Sequence, residues 1–291
     1  MNRIESVAEA WQMPWKLALI TLLFLLLYAP LYPSLVDTWL NDSNNSHGLL
    51  VPLVSLYLVW MLKDEIKAME LKSSMVGFAI LAVSLVTYFA SFVSDLAFPA
   101  RITMITTLAG LVLYSGGWQV FKLLLFPILF LFFMVPVPVT LLALVAFPLQ
   151  LFVSDVSTQL IDFYGIPVYQ EGNLLFFARY SFEVTEACSG IRSLISFLTL
   201  GALFAYIARD SCTKSVLLVL SAVPLSILVN LIRVTGTGIL ANYFGNRAAQ
   251  GFLHDFSGFV VFGVGVLLML AEVWVLNKLR SNRERNQERP V

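Results

Sequence analysis

A chain of 291 residues in which 59% are hydrophobic and only 12% charged is not an ordinary soluble domain, where apolar residues make up ~45–50% and charged ones about 25%. Its mean hydropathy of +0.84 comes from long apolar runs rather than alternating or heptad patterns, the signature of membrane-spanning sequence. Net charge is zero, so there is no basic footprint for nucleic acid. The two cysteines, Cys188 and Cys212, make neither a disulfide framework nor a metal spacing, and no cofactor or metal is expected.

A spanning helix needs about 20 mostly apolar residues, with ~17–25 tolerated. In chain order the segments 15–33, 48–62, 75–93, 100–115, 118–135, 189–208, 215–232 and 256–276 meet that requirement. The first carries no small-residue cleavage site after its apolar run and reads as a retained anchor. Segment 139–163 begins apolar, is interrupted by Pro148, and then mixes Ser154, Asp155, Ser157, Thr158, Gln159 and Asp162 with Leu160, Ile161 and Phe163. That mixture predicts an amphipathic helix lying in the interface. Residues 165–187 are rich in Val, Tyr and Phe, with turn signals at Gly165-Ile166-Pro167 and Glu171-Gly172-Asn173, and predict a short β-hairpin. It serves either as an edge for an extended peptide or as a cap on the helices.

The expected fold is therefore an all-α polytopic membrane protein of about eight spans, with one interfacial helix and a small extracytoplasmic hairpin. Residues 1–277 form a single domain, and the basic tail 278–291 is cytoplasmic and disordered. With both termini inside, thirteen of the eighteen Lys and Arg residues lie on the cytoplasmic side and five (Arg101, Arg179, Arg192, Arg233, Arg247) outside. The positive-inside rule favours that arrangement. A crossing by 139–163 would put the basic tail outside.

This topology sends three reactive groups to the outer face. Cys188 precedes the sixth span in Glu186-Ala187-Cys188-Ser189-Gly190-Ile191-Arg192-Ser193, Arg233 follows the seventh, and His254 precedes the eighth. Taken singly, each has an ordinary explanation: an inert packed thiol, an arginine snorkelling to lipid phosphate, a satisfied interfacial imidazole. Together they make a chemistry. A helix N-terminus and the cations Arg192 or Arg233 lower the pKa of the Cys188 thiol toward the thiolate that attacks. His254 exchanges protons with the leaving amine, and Arg233 holds the developing oxyanion. Asn230, Ser189 and Glu186 are candidate supports, Glu186 equally a structural partner of Arg192. His47, in Asn44-Asn45-Ser46-His47-Gly48, either shapes a substrate groove or belongs to a cap in which Asn45 or Ser46 starts the second span. Cys212, in a cytoplasmic loop, plays no part.

The sequence around Cys188, the Arg233-Val234-Thr235-Gly236 stretch, and His254 with Gly258 resemble the three motifs of the exosortase/archaeosortase family. The stretch from Ser46-His47-Gly48 through Tyr57 and Trp60 is similar to that family's N-terminal signature. His254, where archaeal relatives commonly carry Arg, favours the bacterial branch, and the sequence matches the short form without the extra C-terminal domain of some members. The resemblance implies a multipass enzyme of the bacterial inner membrane whose active site faces the periplasm. It would be a cysteine peptidase or transpeptidase that cleaves PEP-CTERM-type C-terminal sorting signals of exported proteins through a thioester, in a setting of exopolysaccharide and biofilm production. Its partners would be those signals and the lipid bilayer, not nucleic acid. Two rival readings stand beside it. A serine protease would use Ser189 with His254. A transporter or flippase for polyanionic or lipid-linked substrates would need ionisable groups at mid-membrane depth, whereas the charged residues here cluster at span ends.

Overall fold

The computed structural model describes residues 14–178, 181–184, 190–208, 212–244 and 252–287. The helices are α1 (Pro14–Leu27), α2 (Tyr32–Asn41), α3 (Leu50–Met61), α4 (Lys63–Ala68), α5 (Met75–Val93), α6 (Ala97–Phe130), α7 (Val139–Phe163), α8 (Ile191–Ala208), α9 (Cys212–Phe244) and α10 (Phe252–Gln287). Short 3-10 turns lie at Ala29–Leu31, Ser46–Leu49 and Leu131–Met134, and three strands, β1 (Val168–Glu171), β2 (Leu174–Phe177) and β3 (Ser181–Glu183), separate α7 from α8. The protein is a nearly all-helical polytopic membrane protein. Its contacts divide it into two compact units, Met1–Pro138 and Val139–Val291, where the sequence reading expects one domain.

Among the described residues, five helices are long and apolar enough to cross a membrane: Met75–Val93, Ala97–Met134, Val139–Phe163, Ile191–Ala208 and Thr213–Phe244. A sixth span arises if Ala18–Leu27 and Ala29–Asn41, bent by 49°, count together. Two of the eight expected spans, 100–115 and 118–135, lie in the single run Ala97–Met134. At about 1.5 Å per residue that run is far longer than the ~30 Å hydrocarbon layer, and it breaks at Gly117 (φ 76°, ψ −174°). Only glycine adopts that conformation readily, and a Cβ there would strike the Lys72 carbonyl oxygen.

In the first unit α5 runs antiparallel to α6: Ser74 N–H donates to Tyr114 O (3.4 Å), and Leu81 backs onto Gly110. Tyr28, fully buried, has its hydroxyl 2.8 Å from Thr107 Oγ1 and 3.4 Å from Thr103 Oγ1. The 3-10 turn Leu131–Met134 leaves carbonyls without helical partners, as every helix end does. Trp39 Nε1 donates to Met134 O at 2.9 Å, and His47 Nε2 lies 3.1 Å from Phe133 O.

In the second unit α7 is one unbroken helix through Pro148, as long and apolar as a spanning helix. Gln150, Ser154 and Ser157 are buried, while Leu144, Phe147 and Phe152 are exposed. The two serines thus turn inward, and several apolar side chains turn outward. Asp155, Gln159 and Asp162 remain exposed in its last turns. The strands form an antiparallel sheet in the order β1-β2-β3, with Val168 opposite Phe177 and Leu174 opposite Glu183. It is a hairpin with a third strand added. The tail expected without order continues as helix to Gln287.

Candidate active site

α9 is the spine of the second unit. The sequence reading ends its span at residue 232, yet the helix continues unbroken through Thr235-Gly236-Thr237-Gly238 to Phe244. Tertiary packing overrides the weak helix propensity of that stretch. Val234 and Ala241 are buried in a core with Val153 and Ile161 of α7, Leu175 and Phe177 of β2, and Val184. Gly238 admits Ile161 and Phe177 directly against the helix. Arg233 is thus fixed inside a packed helix. It is partly buried, Asn230 one turn earlier is buried, and Thr235 Oγ1 is buried without a hydrogen-bond partner.

Gly190 opens α8, its carbonyl accepting from Leu194 N–H at 2.7 Å. Its φ of +81° lies in the left-handed region. A Cβ built on it would stand 3.2 Å from each of Asn230 Cβ, Cγ and Nδ2. The start of α8 is therefore seated on α9, three residues before Arg233. Ile191 next to it is buried, and Arg192 is the second residue of α8, half-exposed.

α10 closes the arrangement. Phe197 of α8 stacks on Phe262 of α10 with ring centroids 5.3 Å apart and 3° between planes, and Gly265 receives the Phe197 ring edge. Phe197, Ala222, Val229 and Met269 form the core shared by α8, α9 and α10. Heights along the helices follow from a rise of about 1.5 Å per residue. Taking Phe197 and Gly265 as one level, Gly190 stands roughly 10 Å along α8 and the His254 backbone roughly 16 Å along α10 in the same direction. α9 runs the opposite way, since Gly201 faces Leu218 while Gly190 faces Asn230. Arg233 accordingly stands ~4–5 Å beyond the Gly190 level, on the side toward which His254 lies.

His254 is the third residue of α10; its side chain, together with Glu186, Cys188 and Ser189, lies outside the described residues. Of the described candidates, Arg233, Asn230 and Arg192 gather around the start of α8. His47 belongs to the other unit, where its ring holds the Phe133 carbonyl. Burial depresses the His47 pKa, against the opposing pull of the Phe133 and Asn44 backbone. The carbonyl only accepts, so Nε2 carries the proton of the neutral ring. The expected cap at Asn45 or Ser46 is not made: Asn45 Nδ2 donates to Asp42 Oδ2 (2.6 Å) and Ser46 Oγ to Ser43 O (3.2 Å). The sequence reading gave Gly190 no role, although a glycine two residues past a candidate nucleophile was the available signal.

These features define a class: a polytopic helical membrane protein with an arginine, an asparagine and a glycine-led helix start converging at one end of a three-helix core. The family model described as transmembrane exosortase (Exosortase_EpsH) matches residues 39–271, and the chain belongs to that family. The match runs across both compact units. No curated protein and no solved structure matches the chain.

Proposed function

We propose that this exosortase-family protein is a cysteine peptidase or transpeptidase of the bacterial inner membrane. It processes the PEP-CTERM-type C-terminal sorting signals of exported proteins at the periplasmic face, in exopolysaccharide and biofilm production. The observation that carries the reading is the seating of Gly190 on Asn230, one helical turn before Arg233. Gly190 follows Cys188 by two residues in the sequence, and its seating beside the helix that carries Arg233 supports a reading in which the thiol and the guanidinium act together. The start of α10 lies toward the same end of the three-helix core, which supports His254 as the third member.

In the proposed reaction the Cys188 thiolate attacks the scissile carbonyl, forming a C–S bond, and Arg233 stabilises the oxyanion. On collapse the C–N bond breaks, His254 delivers a proton to the departing amine, and the substrate's N-terminal part remains as a thioester. Water or an acceptor amine then attacks, transfers its proton to His254, and releases the thiolate. Glu186, Ser189, Arg192 and Asn230 are supporting residues in this scheme, and Asn230 serves it by holding the start of α8. His47 serves the fold of its own unit.

Cys188→Ala, Arg233→Ala and His254→Ala, each coexpressed with a sorting-signal protein, are expected to accumulate full-length precursor while staying in the membrane at wild-type level. Mass measurement of the new C-terminus in the wild type identifies the cut and the acceptor. Normal processing by Cys188→Ala would refute the mechanism.

A further inference from the structure

Within residues 256–276 Glu272 is the sole charged residue, and residues 215–232 contain none. An ionisable group within so apolar a run is costly and marks a function, with its partner as the guide. That partner is Ser221 of α9, whose Oγ donates to Glu272 Oε2 at 2.7 Å across the α9–α10 seam. The same hydroxyl lies 3.0 Å from Leu218 O of its own helix, the ordinary resting place of a serine in an apolar helix. Reaching a carboxylate on a second helix is not ordinary.

The apolar cluster near this pair includes Ala222, Leu225 and Val229 of α9 and Val266 and Met269 of α10. Apolar packing between helices in lipid has no strong preference for one axial offset over its neighbours, because lipid tails are as apolar as the side chains. A charge-assisted hydrogen bond is short and directional. We infer that Ser221 and Glu272 form a cross-helix clasp that sets the axial register of α9 against α10, and with it the height of Arg233 relative to His254. Arg233 lies twelve residues along α9 from the clasp and His254 eighteen along α10, roughly 18 Å and 27 Å. Ser221 and Glu272 are thus positioning residues, acting on the reacting groups only through the helices. The inference rests on the proposed roles of Arg233 and His254, but its physical core does not.

Two readouts separate the clasp from the reaction. Spin labels at Asn242 and Val260, in a background with Cys188→Ala and Cys212→Ala, report the α9–α10 offset in reconstituted full-length protein. Processing rates come from the same clasp variants with Cys188 intact. Glu272→Leu and Ser221→Ala should each shift the interlabel distance and lower kcat about tenfold with KM changed less than twofold, since ~1 Å of misplacement is enough for a large loss. The exchange Ser221→Glu with Glu272→Ser should restore both readouts, whereas a role in bulk stability alone would not respond to the exchange. A folded Glu272→Leu protein with unchanged distance and turnover overturns the clasp. If the wild type processes no sorting-signal protein, the functional reading fails while the distance measurement still decides the clasp.

Discussion

Gly190 shows how a single residue ties local conformation to chemistry. A side chain at φ +81° is disfavoured by roughly 1–2 kcal/mol for any non-glycine residue, and this one would also press on Asn230 at 3.2 Å. Gly190→Ala is therefore expected to keep the protein in the membrane but lower processing at least tenfold, read as the precursor-to-product ratio. Asn230→Ala in the same background should recover part of the loss by making room. His47 supplies a pH dependence. Its pKa is depressed by burial below the ordinary 6.5, so the neutral ring is favoured in the folded state. The stability this confers is complete above pH 6.5 and is lost as pH falls through the depressed value. The melting temperature in detergent should drop between pH 7.5 and pH 5, and His47→Gln should flatten that drop. An equal drop in the variant would remove His47 from the explanation.

Among the elements, α6 and α7 carry the clearest lessons. The break at Gly117 interrupts the helical geometry of the run, and its φ/ψ costs a non-glycine residue about 1–3 kcal/mol before the Lys72 carbonyl is considered. Gly117→Ala should lower the melting temperature of the purified protein more than Gly165→Ala, where φ is +88° but a Cβ meets nothing within 4 Å. If the two variants melt alike, the close approach to Lys72 is not a constraint. In α7 Ser154 and Ser157 are buried while Asp155, Gln159 and Asp162 are exposed. Whether a polar stripe faces solvent or a neighbouring helix is decided only by what stands beside it. The same holds for α9: the expected span stops at residue 232, before Thr-Gly-Thr-Gly, yet that stretch is helical and packs on the core formed by Ile161, Phe177 and Val184.

For the whole molecule, the excess of positive charge predicted inside gives a test of orientation. With native cysteines replaced by alanine, Asn173→Cys should react with a membrane-impermeant maleimide in intact cells, and Ser281→Cys only after permeabilisation. The reverse pattern would invert the topology and remove the periplasmic site.

The amino-acid sequence alone determined that the protein lies in a membrane, which family its motifs resemble, and which residue types could carry the reaction. Hydropathy, composition and short motifs are properties of the chain itself, independent of what each residue touches. Tertiary structure alone decided that Gly190 rests on Asn230, that α9 carries Arg233 inside a continuous helix, that α7 turns its serines inward, and that Glu272 meets Ser221. Those facts join residues 40 to more than 80 positions apart, or depend on which neighbour covers a helix face. The packing energy that selects them arises only when distant segments bury surface against one another.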